Sequence, residues 1–118
     1  MTAKESAAAP KKRLEISILL DYYGALLTER QREILDYYYN DDMSLSEIAD
    51  ETGITRQGVR YQIKFAENKL EEFEEKLGLL AKRTLLEKDI ETIRAASADI
   101  PALSPLIDTL SRHLFGEE

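Results

Sequence analysis

Residues 44–64 of the chain read SLSEIADETGITRQGVRYQIK, a pattern typical of a short helix, a tight turn and a second helix. Ser44 and Glu47 have the spacing of a capping box, in which the hydroxyl accepts from a backbone N–H and the carboxylate reaches back. Gly53 can adopt the positive φ that ends a helix, and Thr55 is placed to cap the next helix. The stretch therefore predicts a helix-turn-helix unit.

The second helix of this unit has two different faces. Val59 and Ile63 are four residues apart, so both fall on one buried stripe, with Ile48, Ala49 and Ile54 facing the same core. Polar side chains fall on the opposite face, where they can meet phosphates and base edges. The candidate nucleic-acid-binding residues are Thr55, Arg56, Gln57, Arg60, Tyr61 and Lys64.

The length of the chain is sufficient for one hydrophobic core and too small for two independent ones. The 118 residues are 43% apolar and 33% charged, as in an ordinary soluble protein. Neither a membrane-spanning run nor a signal peptide is visible, and cysteine is absent, which excludes disulfides and thiolate metal sites. We expect a cytoplasmic protein that has no membrane partner.

The distribution of charge limits how the chain could bind a nucleic acid. The net charge is −7, whereas nucleic-acid binders usually carry a basic balance. Residues 55–70 nevertheless hold four basic side chains against one acid, and residues 71–77 hold four glutamates and one lysine. Binding is therefore expected through one short surface, and it is expected to be weak or assisted.

The rest of the chain reads as helical, which predicts an all-α fold. Residues 1–12 are expected to form a disordered tail, residues 13–77 the helix-turn-helix domain, and residues 78–118 a C-terminal helical extension. The first helix is expected over residues 13–27, and a second capping box, Thr28 to Gln31, starts the next. The apolar face predicted for the first helix consists of Leu14, Ile18, Tyr22 and Leu26.

The C-terminal part is expected to contain two further helices. Gly78 either caps the long helix at Leu77 or bends it, and a helix over residues 79–98 follows. Pro101 and Pro105 then break the chain before a last helix over residues 105–115.

A heptad-like seam continues from the second helix of the motif. It could fold back on the last two helices or meet another copy, and we favour a homodimer because a single helix-turn-helix rarely binds tightly alone. The predicted association seam consists of Ile63, Leu70, Phe73, Leu77 and Leu80.

Catalysis finds little support in the sequence. His113 has no nucleophile or carboxylate arrangement around it, and Asp41-Asp42 reads as a solvated turn. We therefore predict a protein that is not an enzyme and has no cofactor, metal or small-molecule substrate. The tyrosines at 22–23 and 37–39 could form a base-stacking platform, but their helical spacing favours a core role for Tyr38.

Residues 27–70 resemble the fourth region of bacterial sigma factors, which reads the upstream promoter element. A closer likeness, from about residue 14 to residue 80, is to the YlxM family of small all-helical bacterial proteins. The shared landmarks are Tyr22-Tyr23, Leu26-Leu27-Thr28, Tyr38-Tyr39-x-Asp41-Asp42, Ser44-Leu45-x-Glu47-Ile48-Ala49, Thr55-Arg56-Gln57-Gly58-Val59, Ile63-Lys64 and Glu71-x-Phe73-Glu74-x-Lys76-Leu77.

The resemblance implies a regulatory or accessory role in the signal recognition particle pathway. The implied partners are the RNA and the protein components of that particle. Gly58 stands where the family more often has alanine, and glycine inside a helix costs about 0.5–1 kcal/mol. The last forty residues match the family only vaguely, so their prediction depends on pattern alone.

Three functions follow as hypotheses. The first is an accessory nucleic-acid-binding protein of the signal recognition particle pathway, with Arg56, Arg60 and Lys64 on phosphates. The second is a DNA-binding transcription regulator, with Arg56 and Gln57 at base edges in the major groove. The third is a protein-interaction module that binds no nucleic acid, which the acidic net charge favours over the second.

Overall fold

The computed structural model describes residues 10–116, and all of its regular elements are helical. No strand occurs among these residues, which confirms the all-α prediction. Two 3-10 turns, Gly24–Leu26 and Pro101–Leu103, and one π-helical turn, Asp36–Asn40, join or extend the helices. The helices are α1 Pro10–Tyr23, α2 Glu29–Leu35, α3 Leu45–Thr52, α4 Arg56–Leu77, α5 Leu79–Ala96 and α6 Ser104–Phe115.

The chain divides into two compact units at the junction between Gly78 and Leu79. Gly78 has a left-handed backbone, with φ of 63°, and its N–H donates to the Glu74 carbonyl at 2.8 Å. Glycine suits this position because it carries no Cβ. Gly78 therefore caps α4, which was one of its two predicted roles.

In the first unit, α4 packs against α1, α2 and α3. The capping box at Thr28 is present, and Ile34, Leu35 and Tyr38 are buried as predicted. Side chains from all four helices meet in one apolar core, and this packing fixes the position of α4 against α1, α2 and α3. The fully enclosed apolar residues of this core are Ile16, Ile34, Leu35, Ile48, Val59, Ala66 and Leu70.

The prediction of which side of α1 faces the core is wrong. Leu14 and Leu26 are 64% and 57% exposed, whereas the buried residues of this region are Ile16, Leu19, Leu20 and Tyr23. The segment carries apolar side chains in more than one helical register, so spacing alone did not fix the buried stripe. The helix also begins at Pro10, before the predicted start, and gives way to a 3-10 turn at Gly24. Residues 1–9 of the predicted tail lie outside the described residues.

Arg13 ties α1 to the turn that precedes the helix-turn-helix. Its Nη2 donates to the Tyr38 carbonyl at 3.3 Å and to Asp42 Oδ1 at 3.4 Å. Asp42 has φ of 57°, a left-handed conformation that aspartate tolerates better than most residues. The Asp41-Asp42 pair therefore ends a helical segment, as predicted, and one of its carboxylates binds an arginine.

The predicted association seam is divided by the structure. Ile63 is 7% exposed and Leu70 is fully buried, so both are core residues of this chain and not contacts with a second copy. Phe73 is half-buried, with its ring 6.0 Å from that of Tyr23. Leu77 is 56% exposed, and Leu80 belongs to the second unit. The apolar stripe of α4 was correctly identified, but Ile63 and Leu70 pack inside this chain and not against a second copy.

The second unit consists of α5 and α6, joined through the 3-10 turn that starts at Pro101. Ile90 and Ile107 are its buried apolar residues. Arg94 and Asp108 form an ion pair of 2.8 Å between the two helices. The helices predicted from the proline positions are therefore present, although α6 begins at Ser104.

Candidate nucleic-acid interface

The helix-turn-helix has the caps that its sequence predicts. The Ser44 hydroxyl accepts from the Glu47 N–H at 3.0 Å, and Glu47 Oε1 accepts from the Ser44 N–H at 2.8 Å. Gly53 has φ of 79° and closes α3 through a hydrogen bond from its N–H to the Ala49 carbonyl. These contacts fix where α3 ends, and therefore the direction in which α4 begins.

The first turn of α4 contains no acidic side chain. The Thr55 hydroxyl accepts from the Gly58 N–H at 2.9 Å, which satisfies one of the unpaired donors of the helix start. The first turn of α4 carries no acid, unlike those of α2 and α3, which carry Glu29 and Glu47. The partial positive charge of this helix end is therefore not offset by a local carboxylate.

The predicted binding residues lie at the start of α4 and are exposed. Val59, Ile63 and Ala66 are turned into the core, which leaves the polar side chains of the same turns outside. The structure thus presents together the six residues selected from the sequence, with Thr55 as the helix cap. The exposed residues are Thr55, Arg56, Gln57, Arg60, Tyr61 and Lys64.

Phe65 belongs to the same surface and was missed in the sequence analysis. It is 39% exposed, and its ring lies 6.1 Å from that of Tyr61 with an angle of 20° between the planes. Lys69 Nζ lies 5.7 Å from the centroid of the Phe65 ring. The four-residue spacing of the two aromatics was the available signal, because it places them side by side on a helix.

Acidic side chains limit the basic surface on two sides. Glu47, Asp50 and Glu51 are exposed on α3, and Glu71, Glu72 and Glu75 are exposed farther along α4. Lys69 is paired with Glu72 at 3.7 Å, so part of its charge is compensated. The exposed basic side chains Arg56, Arg60 and Lys64 therefore lie between these two acidic groups in the sequence.

Arg30 is a second residue that sequence reasoning did not select. Its Nη1 donates to the Thr52 carbonyl at 3.3 Å, and its Nε lies 3.7 Å from Glu33 Oε1. The contact joins α2 to the last residue of α3 and so supports the turn. Arg30 lies within the capping sequence of α2, and nothing in that local pattern indicates a contact with Thr52, 22 residues away.

The inner side of α4 carries a buried polar contact. Tyr39 donates its hydroxyl to Glu67, which is 7% exposed, and Tyr23 donates to Glu74 Oε1 at 2.5 Å. Burial and the hydrogen bond to Glu67 raise the pKa of Tyr39 above its ordinary value of 10.0. Since Tyr23, Tyr38 and Tyr39 are all buried, these rings do not form an exposed stacking platform.

Other kinds of site receive no support from the described part of the chain. Between Pro10 and Gly116, no group of three or more acidic or histidine side chains is arranged to hold a metal ion. No helix in the same range has the length and apolar character needed to cross a membrane. His113 is exposed near the end of α6.

Comparison with known proteins identifies the family. Residues 10–104 match the UPF0122 family, described as helix-turn-helix proteins that are YlxM / p13 like. A UPF0122 protein of Thermoanaerobacter sp. (strain X514) is 44% identical over 108 residues, covering 86% of this chain and 92% of the relative. A UPF0122 protein of Halalkalibacterium halodurans is 45% identical over 105 residues, covering 84% and 96% respectively. One from Shouchella clausii is 42% identical over 104 residues, covering 86% and 95%.

The match includes both capping boxes, the glycine turn and the exposed basic start of α4, which are the features that build the candidate interface. The family description, a helix-turn-helix protein, agrees with the all-helical fold. The chain belongs to the UPF0122 family of YlxM-like helix-turn-helix proteins.

Proposed function

We propose that this protein is an accessory nucleic-acid-binding component of the signal recognition particle pathway. The observation that carries the proposal is the exposed basic start of α4, where Arg56, Arg60 and Lys64 stand within three turns and no acid occupies the first turn. The resemblance to YlxM proteins supplies the pathway. A protein with these partners acts in the cytoplasm.

The three cations act as phosphate contacts in this proposal. A guanidinium or ammonium group that neutralises a phosphate releases condensed counterions, so the affinity depends on salt. Gln57 and Tyr61 stand beside them and contact bases or a protein component of the particle. Because a helix cannot read the narrow major groove of A-form RNA, an RNA partner is recognised through its shape.

The first experiment measures binding to a labelled RNA hairpin by fluorescence anisotropy over a series of salt concentrations. Three phosphate contacts predict a slope of log affinity against log salt of roughly −2 to −3. The variant Arg56→Ala/Arg60→Ala/Lys64→Ala is expected to lose binding. The control Lys76→Ala/Lys82→Ala/Lys88→Ala removes the same charge from exposed positions elsewhere and is expected to retain it. Equal affinity of the two triple variants would contradict the proposal.

The pathway is tested separately by capture from a bacterial lysate. Tagged protein is expected to enrich the RNA of the signal recognition particle, and ribonuclease treatment is expected to release any particle protein held through that RNA. The Arg56/Arg60/Lys64 alanine variant serves as the control. Enrichment of unrelated RNA to the same degree would leave nucleic-acid binding in place but reject the pathway.

A second candidate is a DNA-binding transcription regulator. Its support is the position of Arg56 and Gln57 in the first turn of α4, because the start of a recognition helix is the part that meets base edges in the major groove. This function predicts a preference for particular duplex sequences. Selection of binding sites from a random duplex library distinguishes the two, because the accessory RNA-binding function predicts no enriched duplex motif.

We also propose that the chain self-associates through the exposed end of the predicted seam. Leu77 is 56% exposed at the end of α4, and the second unit exposes large apolar side chains that include Leu85 and Leu106, both at 64%. Burial of such residues against a second copy would remove apolar surface from water. Two binding helices in one assembly would then compensate for the small basic surface of each.

A further inference from the structure

The outer face of α4 carries an exposed aromatic pair whose partner the proposed function leaves open. Tyr61 and Phe65 lie one turn apart, with ring centroids 6.1 Å apart and planes inclined by 20°. Tyr61 is 65% exposed and Phe65 is 39% exposed. The rings are therefore stacked on each other and still accessible to solvent.

This pair differs from the aromatic rings that build the core of the first unit. Tyr23, Tyr38 and Tyr39 are almost fully buried, and Phe73 is half-buried beside Tyr23. Those rings build the core, whereas the Tyr61–Phe65 pair lies on the side of α4 that faces away from Val59, Ile63 and Ala66. Core packing therefore does not account for it.

Positive charge surrounds the pair on the same helix. Arg60 and Lys64 are exposed within the same turns, and Lys69 lies over the Phe65 ring at 5.7 Å. Aromatic ring faces interleaved with cations match a nucleotide that is not base-paired, since its base can stack and its phosphate can be neutralised. A duplex offers no such base, because its bases are already stacked and paired.

We infer that the Tyr61–Phe65 pair stacks on an unpaired base, so that the ligand of α4 is a nucleic acid with a single-stranded loop, bulge or end. The inference rests on the proposed nucleic-acid binding and narrows it to a class of ligand. Phe65 supports the Tyr61 ring from one side, and the more exposed Tyr61 provides the ring that receives the base. Arg60 and Lys64 hold the flanking phosphates.

The test compares two RNA duplexes that have the same number of phosphates. One is fully paired, and the other carries a central internal loop of unpaired uridines. Stacking of one base predicts that the wild-type protein binds the looped RNA at least about fivefold more tightly. Tyr61→Ala is expected to lose this preference, so that it binds the looped and the paired RNA with equal affinity. Tyr61→Phe keeps the ring and is expected to keep the preference.

A spectroscopic measurement reports the stacking itself. A 2-aminopurine in the loop is expected to change its fluorescence on binding the wild-type protein and Tyr61→Phe, but not on binding Tyr61→Ala. Because Tyr61 is largely exposed, the helical content of Tyr61→Ala measured by circular dichroism is expected to match that of the wild type. Phe65→Ala is expected to weaken the preference without abolishing binding.

The outcomes separate this inference from the proposed function. If the wild type binds looped and paired RNA equally, the stacking inference is overturned but phosphate binding remains. A protein-docking role for the aromatic pair predicts this equal binding. An unchanged preference in Tyr61→Ala also overturns the stacking inference and leaves phosphate binding intact. Failure of the wild type to bind either RNA overturns both the inference and the proposed function.

Discussion

Tyr39 and Glu67 form a buried contact between the π-helical turn and α4, and it sets a clear expectation for a single substitution. Tyr39→Phe removes the hydroxyl that donates to the Glu67 carboxylate. A buried polar group left without its partner costs about 1–3 kcal/mol, so the free energy of unfolding should fall by that amount. Urea denaturation measures the loss. Glu67→Gln keeps an acceptor for the hydroxyl and should cost less; an equal or greater cost would contradict this account.

The same tyrosine predicts a dependence of stability on alkaline pH. Burial and the hydrogen bond to Glu67 raise the pKa of Tyr39 in the folded chain, whereas the unfolded chain titrates near the ordinary value of 10.0. Above about pH 10 the unfolded state therefore holds fewer protons, and the free energy of unfolding decreases as the pH rises. Urea denaturation between pH 8 and pH 11 should show a shallower decline in Tyr39→Phe than in the wild type. Parallel curves would refute the assignment.

Gly58 and Gly53 offer a matched pair of glycine substitutions. An alanine Cβ at Gly58 would lie 3.2 Å from the Thr55 hydroxyl, so the cap must shift slightly and offset part of the about 0.5–1 kcal/mol gained in helix propensity. Gly58→Ala should therefore stabilise by less than that amount. Gly53 has φ of 79°, so Gly53→Ala should destabilise by about 1–2 kcal/mol. Thermal unfolding of both variants measures the difference, and a stabilised Gly53→Ala would exclude the left-handed turn.

At the scale of the element, α4 serves two purposes with two faces. Its inner stripe, which includes Val59, Ala66 and Leu70, holds the first unit together. Its outer face is exposed and carries basic residues over the first turns, and it becomes acidic near Glu71 and Glu72. The helix can therefore tolerate changes on the outer face without loss of the fold.

Arg60→Ala tests the contribution of a single phosphate contact on this face. We expect binding to the RNA hairpin to weaken about fivefold for all sequences alike, and the salt slope to become shallower by about 1. Anisotropy titrations at several salt concentrations give both quantities. Lys88→Ala removes one exposed cation from α5 and should change neither. A sequence-dependent loss in Arg60→Ala would instead assign Arg60 to base contact.

At the scale of the whole molecule, the two units differ in charge. Residues 79–116 contain five basic and five acidic side chains, so the second unit is close to neutral within the part that the structure describes. Residues 10–78 contain ten basic and fifteen acidic side chains, so the first unit is the more acidic one. The proposed nucleic-acid binding by the first unit therefore depends on the exposed basic start of α4 and not on net charge, whereas the neutral second unit exposes leucines that suit association. The predicted division of labour places nucleic-acid binding on the first unit and association toward the second.

Leu77→Glu tests self-association without disturbing the core. Phe73, another residue of the predicted seam, packs beside Tyr23, so its replacement would also affect folding. Leu77 is 56% exposed, and a charge there should shift the sedimenting species to the mass of one chain. Leu14→Glu, at a leucine that is 64% exposed on α1, is the control and should leave the mass unchanged. A Leu77→Glu variant that sediments like the wild type would reject this interface.

The sequence by itself determined the local elements of the fold. The caps at Thr28 and Ser44, the turn at Gly53 and the exposed start of α4 follow from side-chain chemistry within a few residues, so spacing was enough to predict them. The same local logic grouped Arg60 with Lys64 on one face. Only helix periodicity was needed for that step.

The tertiary structure decided which of several apolar surfaces became core. Leu14 and Ile16 are equally apolar in sequence, but only Ile16 is buried, because contact with α4 and its neighbours selects one face of α1. Packing likewise enclosed Leu70 within the chain and left Leu77 exposed. Such choices depend on residues distant in sequence, since the hydrophobic effect rewards burial without specifying a partner.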